Sequence, residues 1–273
     1  MAPSFANHRN QLLVGEHVTT QSQTYPRVGA LLCQERWWLL GITLATLVVI
    51  CGVFLLALSG GVGVRNGTLA TLLATTVWTA LAAPVLAASS RDWIRQFIRA
   101  GTVADAALVG LLIVWLLSKG RQDTGGVLTV TAAMEVYATL AGLAVFAAAV
   151  VGLARSFAWR HIAAAITAVV LLAMLATPFW TGGLIAATQG QWRDRVVTAA
   201  VWGNPVYSIA SATAEELQYA PHQAQYMYDA QLTLIGDYAA APPTPWYTAT
   251  AILLIASAAA IVIRAIRKPS TRQ

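Results

Sequence analysis

Few residues in this chain have the type and spacing that chemistry requires. The four histidines, His8, His17, His161 and His222, are scattered along it. Only His161 touches an apolar run, too little for bis-histidine haem ligation inside a helical bundle. There is no HExxH, no GxSxG and no cysteine pair at metal-ligand spacing. The GxxxxGKS/T loop whose backbone cradles nucleotide phosphates is also missing, so nucleotide hydrolysis by that route is excluded. The reading is of a protein that is not an enzyme and carries no metal or cofactor in its own chain.

Three groups of polar residues remain as candidates. The first is Glu135, set in AAMEVYATL with Tyr137 two residues on. A carboxylate inside an apolar run is costly, which makes Glu135 and Tyr137 a candidate intramembrane polar site. The competing reading is a hydrated carboxylate near the outer interface, paired with Lys119 or Arg121. The second group is Ser89 to Gly101 (SSRDWIRQFIRAG). Drawn as a helix, it puts Trp93, Phe97 and Ala100 on one face and Arg91, Arg95 and Arg99 on another. Ser89 or Ser90 would cap it, with Asp92 in the first turn. It reads either as a docking helix for a soluble partner or as a surface helix whose arginines meet anionic lipid. The third group is the long polar stretch from Gly182 to Pro245, with five of the eight tyrosines. Its Trp202-Gly-Asn204-Pro205-Val-Tyr207 run precedes two short helical patterns, Val206 to Tyr219 and Gln223 to Ile235. The stiff Ala241 to Pro245 segment leads out of it. Trp202, Asn204, Pro205 and Tyr207 are candidate gate residues; the alternative is a solvated lid with no ligand.

These candidates hang on a frame that composition makes plain. With 58% hydrophobic and 10% charged residues, the 273-residue chain falls far from the profile of a soluble domain. A net charge of +6 could suggest nucleic acid. The basic residues instead sit at the ends of apolar runs, as a bilayer demands. Six such runs are visible: 37–59, 67–88, 102–118, 127–154, 159–182 and 246–263. About 20 apolar residues span the hydrocarbon, and irregular backbone cannot face lipid, so the runs are expected to be helices. Of the 17 basic residues, 12 fall on the side of both termini and 5 on the other. That excess predicts both termini in the cytoplasm and the tyrosine-rich stretch outside. Pro26 to Arg36 is either a short surface helix or an early start of the first span. Ala144, Ala148 and Gly152 form a small-residue stripe for close helix packing, within one subunit or between two. The expected fold is thus an all-α integral membrane protein with six transmembrane helices and short external helices between spans five and six. Residues 1–36 form a tail with an interfacial helix, 37–266 the membrane domain with its external segment 183–245, and 267–273 a second tail.

Taken together, these parts resemble the membrane subunit of type-2 ABC exporters. The likeness rests on the six runs, the connection Ser89 to Gly101 between spans two and three, and the WGNPVYSI motif opening the largest external segment. It covers nearly the whole chain and is architectural. Where the family's connection commonly starts with glutamate followed by Gly-Thr, this chain has Arg91-Asp92. The resemblance implies a permease in the cell (inner) membrane; the placement of the basic residues already argues against nucleic acid as a partner. It implies pairing with a second permease subunit and with a cytoplasmic ATP-binding subunit that holds the ATP. Arg91, Trp93, Arg95, Phe97 and Arg99 would then be the docking residues, and the substrate a lipidic or amphipathic molecule. The alternative is a non-transporting membrane anchor or assembly subunit whose outer stretch binds another protein.

Overall fold

A computed structural model describes residues 25–119, 128–154, 157–217 and 245–267. Those residues form α1 (Tyr25–Ser59), α2 (Val64–Ala88), α3 (Trp93–Lys119), α4 (Val130–Val151), α5 (Phe157–Leu175), α6 (Thr177–Ala187), α7 (Gln191–Trp202), α8 (Pro205–Thr213) and α9 (Thr248–Arg267). No strand occurs among them. Six of the helices (α1 to α5 and α9) contain stretches long and apolar enough to cross a membrane, so the protein is a multi-pass membrane protein. The chain divides into two compact units, Met1–Leu40 and Gly41–Gln273, and the helical bundle belongs to the second.

Local chemistry explains where the helices stop. Gly61 takes a φ of 78°, which only glycine adopts without strain, and it turns the chain from α1 into α2. Pro84 lies inside α2 one turn from its end, where the lost N–H removes a single bond and the helix runs on to Ala88. Asp92 opens α3 by accepting the Ile94 amide through its side chain at 3.2 Å. Thr129 does the same for α4, accepting the Ala132 amide at 3.1 Å.

The fourth span is the centre of the bundle: α2, α3, α5, α8 and α9 all pack on it. Its Leu140, Leu143, Ala144, Ala147, Ala148 and Val151 are fully buried. The small-residue stripe therefore packs inside this one chain. Alanine and glycine let neighbours approach closely, and Gly142 lies against Thr250 and Leu253 of α9. A buried bond from Thr250 Oγ1 to Thr139 Oγ1, 3.1 Å long, joins the same two helices. Along α2 the buried Thr68, Thr71, Thr75, Thr76 and Thr79 each donate to a carbonyl one turn back, so their hydroxyls cost no unsatisfied donor. Ile50 of α1 fills the space left by Gly110 of α3, where an added Cβ would come within 2.9 Å of it. Leu56, Val85, Val109, Ile166, Val169 and Ile255 point outward and exposed. A soluble protein hides such residues, whereas lipid accepts them.

The backbone is helical without interruption from Tyr25 to Ser59, so of its two alternatives Pro26 to Arg36 takes the early start of the first span. Two boundaries differ from the sequence expectation. Ser89 to Gly101 is no independent helix. After a tight turn at Ser89–Asp92, Trp93 to Gly101 forms the first turns of α3. The fifth run breaks at Ala176, giving α5 and α6 where one helix was expected.

Candidate functional site

The break in the fifth span frees carbonyls that must be satisfied in an apolar setting. Ala176 still donates to Leu172 O at 2.8 Å, but Pro178 has no N–H, and the Phe179 amide turns to Ala176 O at 2.9 Å. Side chains take over. Thr177 Oγ1 donates to Met174 O at 2.6 Å, and Trp180 Nε1 to Ala173 O at 2.9 Å. The third carbonyl, Leu175 O, accepts Asn204 Nδ2 at 3.2 Å from 29 residues further along the chain.

Asn204 is completely buried and works at both ends of its amide. While Nδ2 closes α5, Oδ1 accepts the Val206 amide at 2.8 Å and caps α8. Pro205 follows at the first helical position, where a missing N–H is harmless. One turn on, Ser208 Oγ accepts the Ala249 amide of α9 at 3.3 Å. Past the end of α8, Glu216 accepts Thr129 Oγ1 at 2.9 Å, beside the amino terminus of α4. The segment 204–216 is thereby fastened to the carboxyl end of α5 and the amino ends of α9 and α4. The helix between these fastenings is buried almost throughout, from Pro205 to Ala210 and again at Ala212 and Thr213. It carries no charge. Its polar groups are the hydroxyls of Tyr207, Ser208, Ser211 and Thr213.

This arrangement corrects the picture of a solvated external helix. Val206, Ile209, Ala210 and Leu217 are buried, as a single apolar face would have it, but so are Ser208 and Thr213. The hydroxyls of Ser208 and Thr213 find partners inside, the latter donating to Ile209 O at 3.0 Å. Of the gate candidates, Asn204, Pro205 and Tyr207 point inward, whereas Trp202 ends α7 and is 45% exposed. α6 and α7 pack on each other as a hairpin beside them. The expected second external helix, Gln223 to Ile235, lies outside the described residues, as does Arg121.

Glu135 is half-buried in α4, but its neighbour Tyr137 bonds elsewhere. The Tyr137 hydroxyl donates to Asp105 Oδ1 at 2.8 Å. The sequence places Asp105 near the start of the third run, because that run is read as beginning at Thr102. With α3 starting at Trp93, it lies twelve residues in, near the middle. The missed signal was the unbroken helical pattern from Asp92 onward. Glu135 itself comes within electrostatic reach of Glu216. Lys119 sits over the Trp115 ring, 5.4 Å from its centre.

At the opposite end, the five docking candidates separate. Arg91 and Trp93 are exposed, and Phe97 meets Trp93 edge-on with ring centres 5.8 Å apart. Arg95 Nε lies 3.8 Å from Asp92. Arg99 is buried, donating to Ser89 Oγ at 2.7 Å and Ser89 O at 3.2 Å, so it closes the turn between α2 and α3. Two further residues join that turn. Gln96 Nε2 and Arg160 Nη1 both donate to Ser90 O, at 2.9 and 3.0 Å.

No family model, curated protein or solved structure matches the chain. Among the described residues, no cluster of side chains has the makings of a metal site.

Proposed function

We propose that this chain is the permease subunit of an ATP-driven exporter of the type-2 ABC class. The observation that supports it most is the buried Asn-Pro helix, α8, hung on the ends of spans four, five and six after a broken fifth span. Each fastening is one or two hydrogen bonds, worth about 1 kcal/mol apiece. A helix held in this way closes one end of the bundle and can be released when those ends shift.

The energy comes from a separate subunit, because this chain has no nucleotide loop. Its attachment point is the turn at Ser89–Asp92 with the exposed Trp93 and its partner Phe97, on the side that the basic residues assign to the cytoplasm. α3 runs unbroken from there to Lys119 and packs on α4, which packs on α8. A push at Trp93 thus travels along one stiff helix to the neighbour of the closing one. A second permease chain, identical or related, completes the pathway.

The reading requires a gene for an ATP-binding subunit beside this one, and the test is co-purification with its product. The wild-type chain should retain it, and the complex should hydrolyse ATP. Trp93→Ala with Phe97→Ala should cut recovery roughly tenfold, because buried aromatics anchor interfaces. A wild-type chain that retains no ATP-binding subunit would sink the reading.

A further inference from the structure

Asp105 stands on the outer surface of the bundle at mid-span. Along α3 it lies about 18 Å from Trp93 and about 21 Å from Lys119, at 1.5 Å per residue. Its neighbours Ala104, Ala106 and Ala107 are buried, whereas Asp105 is exposed. Ile98, Val109 and Leu116 share its helical face and are exposed too, as is Met134 of α4. Tyr137 of α4 donates its hydroxyl to Asp105 Oδ1 at 2.8 Å, the one hydrogen bond to this side chain among the described residues. Oδ2 is left open on the surface. No cation of the bundle stands at this depth: every basic residue of the six spans lies within the first or last two turns of its span. A charge in mid-membrane is costly, and such groups pair with a partner or mark a ligand path. The Tyr137 hydroxyl satisfies one oxygen but brings no positive charge. The counter-charge has to come from outside these spans.

We propose that Asp105 and Tyr137 bind a hydrophobic organic cation, an amine or phosphonium on an apolar body, that reaches them from the bilayer. The setting selects this occupant. The carboxylate complements its charge, and an aromatic ring beside the carboxylate adds attraction for a cation. Ile98, Val109, Leu116 and Met134 give the apolar body a surface to lie on. A second copy of this chain packed on the same face would bring another carboxylate to this depth and no cation. An inorganic cation such as calcium needs six or more oxygens in exchange for its water, and this surface offers too few. The site does not rest on the permease reading, since it needs only the packing of α3 on α4.

The experiment uses the full chain purified in a neutral detergent. Two probes of one shape are compared, the cation tetraphenylphosphonium and the anion tetraphenylborate, by equilibrium dialysis against detergent alone. The wild type should bind the cation saturably, with roughly tenfold preference over the anion. Asp105→Asn, which keeps an acceptor for Tyr137, should weaken cation binding roughly tenfold. Tyr137→Phe, which frees the carboxylate from its donor, should weaken it roughly threefold. Asp105→Glu keeps the charge and should retain part of the binding, which separates a lost site from a lost fold. Asp194→Asn, the same change at an exposed acid of α7, should leave binding intact. Equal binding of the two probes by the wild type overturns the proposal. So does an Asp105→Asn variant that binds the cation as the wild type does, or an equal loss in Asp194→Asn. A stoichiometric membrane protein that co-purifies with the chain and is released by Asp105→Asn would give the carboxylate to a partner helix and overturn the ligand.

Discussion

The two ends of the bundle solve one problem with opposite chemistry. Every helix end leaves backbone groups without intrahelical partners. At the arginine-rich end, α2, α4 and α9 present their carboxyl termini, where the helix dipole favours cations. Arg99 and Arg160 accordingly donate to the carbonyls of Ser89, Ser90 and Ala154. At the α8 end the same helices present amino termini, and the partners there are acceptors: Thr129 for α4 and Ser208 for α9. The exception is instructive. α5 ends there with its carboxyl terminus, yet its cap is the neutral amide of Asn204. A cation would match the dipole, but in a fully buried place its desolvation would outweigh the gain. At the α8 end the buried cap is an amide, while the carboxylate of Glu216 bonds at an exposed contact.

That contrast is broken most severely at Asn204. Asn204→Asp keeps the cap on Val206 but turns a carboxylate towards Leu175 O in a buried site, and should cost about 4 kcal/mol or prevent folding. Asn204→Ser, which keeps a small cap and loses the long donor, should cost about 2 kcal/mol. Denaturation of the detergent-solubilised protein would measure both. Equal losses would show that a carboxylate turned towards Leu175 O costs no more than the missing donor.

Next comes Gly152→Leu at the other end. Its side chain displaces Arg264, and overpacking of this kind should cost about 2 kcal/mol. Ser208→Ala, which leaves the Ala249 amide unsatisfied, should cost about 1 kcal/mol in the same denaturation measurement.

The smallest effect sharpens the comparison. Gln96 is 1% exposed, and its Oε1 has no hydrogen-bond partner among the described residues, although Nε2 is bonded to Ser90 O. Gln96→Leu removes one bond and one unsatisfied acceptor together, so stability should change by less than about 1 kcal/mol. A loss several times larger would mean that this end too depends on a buried amide, and the contrast would fail.

Some of this is legible from the amino-acid order alone, because hydrophobicity sums over about twenty neighbouring residues. The existence of six spans and the all-helical class follow from that sum. The start of α8 at Asn204-Pro205 is legible too, since a cap residue before a proline is a local signal. Boundaries were harder to read. The arginines after Ser90 lower the local hydropathy and hide the start of α3, which in turn hides Asp105 from view as a residue of mid-span. The proline at 178 announces a bend but not a break, since the outcome depends on whether distant donors exist for the freed carbonyls. The Asn204 donor, like the links from Glu216 to Thr129 and from Tyr137 to Asp105, joins residues far apart in the chain. Hydrogen bonds and ion contacts act over a few ångströms, and only packing brings such residues within that range. Sequence alone determined which segments enter the membrane; the tertiary structure decided that α8 is buried among them, because its polar groups find partners on the ends of three other helices.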